Sequence, residues 1–463
     1  MILLGFLGLI GLSCACGFLR WRWGLMCLLA IGSLQDPVRK MIPGAPGFLT
    51  LSTVPIWVSV MVGAFLKKEF SWQRFKQSYP QISVAVVVFI WAIIPSAIMS
   101  MTYAPGSWQI TILGVFAYFT GFSAIILGMF FPNEDGDIER LMMCYILIVA
   151  VMLIGAPMEK FGIGMSTGAV GTERLGNLWI TYRTGGMLRM LSGFYRSPDI
   201  MGWHSATMIM LAVMLALRKT NWQRYLFVAL AGWGGVGIIL CARRKMLAGL
   251  VVFVIVFLVL FLRHRQGRRV FGVGLIAVAS VGIWSYIYQK AGADTDVASF
   301  YSSTVSEAGD RFHNHAIKAA VITVNQAGVF GYGLGMAVQG AHHINVDRPN
   351  IWQEGGISKL LAEIGIPGAL AFIGILFALV RSGFNVLRNV AQHPQASLYF
   401  GFGALLFSNV ISAVVSAQVY GDPFIGTLLP FWAGVFLSGK RLMARSISDE
   451  EQELAEPAEK TDA

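Results

Sequence analysis

The chain has 463 residues, 56% of them hydrophobic and only 13% charged, and its mean hydropathy is +0.65. Soluble domains carry about 25% charged residues, so an ordinary soluble globule is excluded. The formal net charge of +11 is not a nucleic-acid footprint, because the basic residues fall in short segments between apolar runs. That is the positive-inside pattern, with attraction to anionic headgroups. A lipid bilayer is therefore the expected partner, and nucleic acid is not.

Runs of about 20 apolar residues cross a bilayer as helices, because backbone in lipid must satisfy its own hydrogen bonds. Barrel strands would alternate in polarity, and these runs do not. The predicted spans are 2–19, 24–35, 47–66, 81–100, 108–131, 140–157, 200–217, 225–241, 246–262, 270–289, 358–380, 396–416 and 423–438. The fold class is thus an all-α polytopic membrane protein, with about 12–13 transmembrane helices and two long periplasmic loops. The first run lacks a basic leading segment and continues into RWRW, so it reads as a span and not as a cleaved signal peptide. The second run is short enough to be re-entrant. All five cysteines (Cys14, Cys16, Cys27, Cys144, Cys241) lie in or beside apolar spans and read as small hydrophobes.

In outline, 1–157 holds the N-terminal helices, 158–199 a first long loop and 200–289 the central helices; 290–357 is a second long loop, 358–438 the C-terminal helices, and 439–463 a disordered tail. Placing the C-terminus inside puts RWRW, KKEFSWQRFK, RKTNWQR and RHRQGRR in the cytoplasm, where the density of Lys and Arg is then highest. Both long loops face the other side. Structureless loops of that size are uncommon unless functional. In the second, Asp310 to Val324 repeats apolar residues at helical spacing and predicts an amphipathic helix lying on the outer leaflet.

Chemistry concentrates at the ends of these loops. In MLRMLSGFYRSPDIMGWHS, Arg189 and Arg196 precede Ser197-Pro198, and Asp199 can cap the next span. The arginines read either as juxtamembrane anchors or as anion ligands, and their side of the membrane runs against the topology signal. Arg243, Arg244 and Lys245 form an entire outside turn between two spans. Three cations there are expensive, and an arginine fork matches phosphate oxygens bidentately; the plainer alternative is snorkelling to lipid phosphates.

Further on, GYGLG (Gly331, Gly333, Gly335) lacks the strand–turn–helix setting of a dinucleotide fingerprint. It reads as a place where backbone approaches a neighbour or a headgroup closely. His342 and His343 follow in a polar loop. Glu354 stands at the lip of the next span, as a general base or as a carboxylate favoured by the helix dipole. Lys359 and Glu363 are one turn apart and can pair with each other.

Taken in this order, the pieces resemble the O-antigen ligase/polymerase superfamily of bacterial envelope glycosyltransferases, which includes Wzy-type polysaccharide polymerases. The resemblance rests on Arg189 with Gly193 and SPDIMGW, the ARRK turn, Arg311 in GDRFHNHAIKAA, FGYGLG and SKLLAEIGIPGALAF. LQDPVRKMIPGAPGF looks like the exopolysaccharide-polymerase side of the group. The resemblance implies a multi-pass inner-membrane enzyme acting at the periplasmic face on undecaprenyl-diphosphate-linked glycan. It further implies inverting transfer without metal or other cofactor, with Arg189, Arg196, Arg243, Arg244 and Arg311 holding the diphosphate.

Ligases of this group place a histidine about nine residues before the acid of the LAEIGIPG block, and Glu354 occupies that position here. Glu354 is therefore the leading catalytic base, with His342 and His343 beside it. The expected role is a polymerase joining lipid-linked repeat units, with a chain-length regulator protein among the partners such a role would bring. The alternatives are an O-antigen ligase acting on lipid A core or another acceptor, and, more remotely, a lipid-linked glycan flippase or transporter. Few ionisable residues fall inside the predicted spans, which disfavours the transporter.

Overall fold

The computed structural model describes residues 1–183, 186–263, 309, 313–338, 340–341, 344, 346–347, 349, 355–391, 395–416 and 419–444. Ten helical stretches among them are long and apolar enough to cross a membrane, so the chain is an all-α multi-pass membrane protein. In chain order the helices are α1 (Ile2–Leu19), α2 (Trp21–Met41), α3 (Thr53–Leu66), α4 (Trp72–Ser78), α5 (Pro80–Ala92), α6 (Ile94–Met101), α7 (Trp108–Phe130), α8 (Asp135–Met152) and α9 (Gly155–Lys160). Then come α10 (Pro198–Arg218), α11 (Asn221–Cys241), α12 (Arg244–Arg263), α13 (Ala319–Ala327), α14 (Gly356–Val390), α15 (Ala396–Val415) and α16 (Pro423–Leu437). The predicted span 270–289 and the tail beyond 444 lie outside the described residues.

The helix ends follow from local chemistry. Proline occupies the first turn of α5, α10 and α16, where its missing N–H would have no partner anyway. The Ser197 and Asp422 side chains accept the backbone N–H groups of Ile200 (3.3 Å) and Ile425 (2.9 Å), and Glu134 with Asp137 closes a capping box on α8. Burial sorts the helices. α10 sits at the centre with 83% of its apolar window covered, whereas α1, apolar all round, has 17% covered and faces lipid.

Side-chain contacts divide the molecule into two ends. At one, Arg22 meets Glu69 (2.6 Å) and the Phe131 carbonyl (2.8 Å); Glu139 takes Arg218 (2.7 Å) and Lys219 (2.5 Å); and Arg441 donates to the Pro132 carbonyl. At the other end the contacts involve Lys40, Glu159, residues 189–199, Arg243 to Lys245, Ser416 and Asp422. α2 and α10 each join the two ends: Arg22 and Lys40 lie at opposite ends of α2, and Asp199 and Arg218 at opposite ends of α10.

Three expectations change. The second span is not a short segment. α2 is 21 residues long, and its Arg22 lies at the basic end while its Lys40 lies at the opposite end, so it crosses. Hydropathy misses its length because Gln35, Asp36 and Lys40 are polar, yet all three are buried among protein partners. Second, the loop 158–199 is partly ordered as an antiparallel hairpin, β1 (Ile180–Arg183) with β2 (Gly186–Arg189), with Ile180 opposite Arg189. Third, the predicted amphipathic helix begins as a wide turn at His313–Lys318 and continues as α13 to Ala327; residues 310–312 are outside the described set.

Candidate functional site

At the end opposite the basic loops, residues 190–197 thread between α2, α9 and α10. Lys40, fully buried, donates Nζ–H to the carbonyls of Gly193 (2.9 Å) and Tyr195 (2.5 Å). Glu159, also buried, accepts the backbone N–H groups of Ser192 (2.9 Å) and Gly193 (2.7 Å). Backbone groups that water would otherwise serve are thus satisfied by two charged side chains. This short stretch is built, not left to solvent.

Arg196 closes the same network. Its backbone N–H and its guanidinium both reach Asp36, at 3.1 Å each, and its other terminal nitrogen reaches Asp422. Its side chain is 11% exposed. Burial alone would drive this guanidinium toward losing its charge, but Asp422 and Asp36 outweigh that and hold its pKa above the ordinary arginine value. Burial pushes the Asp422 carboxyl up, with Arg196 pulling the other way. A cation held between two buried carboxylates ties the loop to the starts of α10 and α16 and to the end of α2. Expected from the sequence as a diphosphate ligand, Arg196 is committed to Asp36 and Asp422 here.

The Arg243 to Lys245 segment differs in detail from the predicted turn. Only Ala242 and Arg243 link the two helices, with Ala242 in the left-handed region at φ 49°; Arg244 and Lys245 are already the first turn of α12. Cations at a helix start oppose the helix dipole, and Asp199 offsets this. Its carboxylate lies 2.7 Å from Arg243 and 2.6 Å from Lys245, so Asp199 offsets part of the turn's positive charge while Ser197 caps α10. Arg243 also lies over the Trp179 ring at 5.3 Å, a cation–π contact. Lys245 donates to the Ser416 hydroxyl at 2.8 Å. Arg244 is buried. Arg189, on β2, stays 45% exposed beside Glu173 (3.2 Å) and Glu159 (3.7 Å).

The glycine-dense stretch is resolved as a close approach of backbone to neighbouring helices. Gly331, Gly333 and Gly335 have φ of 74°, 120° and 87°, and an ideal Cβ on Gly335 would sit 2.1 Å from the Ile110 carbonyl oxygen. Tyr332 N–H bonds the Ala362 carbonyl (2.7 Å) and Leu334 N–H the Ser96 carbonyl (3.0 Å). The segment braces a break in α14 at Gly365, where φ is 62° and ψ −169°. Pro367 has no N–H to donate, and Ile366 N–H bonds the Val329 carbonyl at 2.8 Å. Irregular backbone at membrane depth persists where protein satisfies it in this way.

Glu363, 1% exposed, accepts Tyr118 O–H (2.6 Å) and Ala337 N–H (3.0 Å). The expected pairing with Lys359 is replaced by this buried one, because the carboxylate faces the inserted loop.

The two halves approach each other through α15. An ideal Cβ on Gly356, which opens α14, would lie 2.1 Å from the Ala413 carbonyl oxygen, and the same end of α15 leads to Ser416 and so to Lys245. Glu354, His342, His343 and Arg311 lie outside the described residues. Sequence reasoning missed Asp36, Lys40, Glu159 and Asp422. The available signal was an acid and a base one turn apart at the end of a span, a placement that is costly in lipid without partners. Compared with known proteins, the chain matches no protein-family model and no curated protein.

Proposed function

We propose that the chain is a glycosyltransferase of the bacterial inner membrane, a polymerase working at the periplasmic face on undecaprenyl-diphosphate-linked glycan. The observation that carries this reading is the gathering of Arg189, Arg243 and Arg244, from a hairpin, an interhelical turn and a helix start, at the end opposite the basic loops. Carboxylates hold two of them in place beforehand: Glu159 and Glu173 beside Arg189, and Asp199 beside Arg243. An arriving diphosphate exchanges carboxylate partners for phosphate oxygens, with little reorganisation of the cations. Arg196 has a different part, positioning the 190–197 loop that follows Arg189, and Arg311 joins the set through the resemblance.

In the proposed reaction an acceptor sugar hydroxyl attacks the donor's anomeric carbon from the face opposite the leaving group. The bond between that carbon and the diphosphate oxygen breaks, and its electron pair leaves on undecaprenyl diphosphate, whose charge the arginines stabilise. The hydroxyl proton passes to Glu354, with His342 and His343 the remaining candidates. Removal of that proton by a positioned base is worth about 10²–10⁴-fold.

Purified lipid-linked repeat units test this directly. Wild-type protein is expected to lengthen them, with EDTA leaving the rate unchanged, and Glu354→Gln is expected to stop it. Wild-type rates for Glu354→Gln, with loss in a folded His342→Ala or His343→Ala, would move the base to that histidine. Transfer only to a lipid A core acceptor would make the protein a ligase. A reporter fused near Gly340 that is active in the cytoplasm would end the reading altogether.

A further inference from the structure

The groove between α5 and α14 lies at the basic end, away from the site above. These helices run antiparallel, with Phe89 meeting Phe372 (5.9 Å between ring centroids) at the groove's inner limit. Pro80, Gln81, Val84 and Ala85 line one side and Gly374, Phe377, Ala378 and Arg381 the other, around a volume of about 420 Å³. The small residues Ala85, Gly374 and Ala378 keep the floor low, while Val84 (60% exposed) and Phe377 (67% exposed) stand as its walls. From Gly374 to Arg381 the helical rise gives a trough about 10 Å long. One rim is polar, formed by Gln81 and Arg381.

We infer that this groove holds an anionic phospholipid from the leaflet at the basic end, with an acyl chain along Val84, Ala85, Gly374 and Phe377 and its phosphate at Arg381. The argument is charge complementarity on an apolar trough already in a bilayer. Arg381 is exposed and has no carboxylate within ion-pair distance among the described residues, unlike Arg22, Arg140 and Arg218 at the same end, each of which has one. The adjoining α4 adds Arg74 and Lys76, both exposed. Trp72 on that helix stacks on Phe75 at 5.8 Å, and Phe75 is buried. An aromatic, basic helix at the mouth of the trough suits the headgroup level of a membrane. A neutral zwitterionic lipid would fill the trough equally well but would leave the cations less well matched.

The test uses whole protein purified in mild detergent and stripped of lipid. Phosphatidylglycerol or phosphatidylcholine of the same acyl composition is added, and bound lipid is read by native mass spectrometry. Phosphatidylglycerol should be retained preferentially, and Arg381→Ala should lower its retention roughly fivefold. Arg388→Ala, two turns further along the same helix, should leave it unchanged. Gly374→Leu should remove binding of both lipids by filling the trough, since a Cβ at Gly374 meets nothing within 4 Å and the helix packing is spared. Equal retention of the two lipids, an unchanged Arg381→Ala, or phosphatidylglycerol persisting in Gly374→Leu would each overturn the inference. A wild-type dimer that Gly374→Leu turns into monomer, with no lipid preference, would overturn it in favour of a second copy of the chain.

Discussion

The two ends of the molecule use the same residue types for different work. At the basic end the Arg140–Glu134 pair is exposed, at 61% and 67%, the pairs of Arg22 and Glu139 are half-buried, and the connections between helices are mostly short. At the opposite end Asp36, Lys40, Glu159, Asp199 and Asp422 are buried, and long connections fold back among the helices. Exposed pairs contribute little to stability. Buried ones are demanding, because each partner left alone is an uncompensated charge. The first end ties neighbouring helices together at their termini; the second fixes the position of a loop.

That contrast is sharpest in the Arg196 network. Asp36→Ala removes the acceptor of both the backbone N–H and the guanidinium of Arg196. It leaves the cation with Asp422, whose ionisation burial already resists. The expected loss is about 3–5 kcal/mol, read as a fall in the thermal midpoint of detergent-purified protein. A loss below about 1 kcal/mol would place the two ends on the same footing.

Arg243→Ala comes next, and separates catalysis from stability. Removing a preorganised donor from a developing anion costs about 10²–10³-fold in rate, so polymer formation from lipid-linked units should fall by that factor. Arg243→Lys should restore it poorly, since an ammonium does not reproduce the fork. If polymer length and rate are unchanged in the alanine variant, Arg243 only anchors Asp199 and Trp179.

The glycine segment gives the third test. Gly335→Ala imposes a side chain at φ 87°, a strain of about 1–3 kcal/mol, with overlap on the Ile110 carbonyl added to it. Arg140→Ala at the basic end, by contrast, should change stability by less than about 1 kcal/mol. Equal midpoints for the two variants would mean that the inserted backbone does not brace the break at Gly365.

How far the sequence could be read follows from which partners are local. The apolar runs made the helices legible, and the cations between α11 and α12 stood out because they break the insertion rule. Asp36 and Asp422 did not stand out, because they meet Arg196 across 160 and 226 positions of chain. Asp199 was read as a cap because it follows a proline at a helix start, but Ser197 takes the cap and frees the carboxylate for Arg243 and Lys245. In GYGLG the need for close approach was visible; that the neighbours are Ser96, Ile110 and Ala362 was not, since nothing local specifies them.

The smallest effect expected is the pH response of Asp422, and its sign is informative. Burial raises this carboxyl above its ordinary value while Arg196 opposes the shift, so the folded state takes up the proton before the unfolded one. Stability from that proton is fully present below about pH 4, the unfolded carboxylate value, and is lost as pH rises through the raised folded value. Asp422→Asn resembles the protonated form. It keeps a good helix cap and an oxygen facing Arg196, so it should behave almost as wild type at low pH. Thermal midpoints of the two proteins, measured from neutral pH downward, should therefore show wild type gaining on the variant as pH falls. A wild type that instead loses ground on acidification would mean that the pull of Arg196 exceeds the burial of Asp422, and the pair would then behave like the half-exposed ones at the other end.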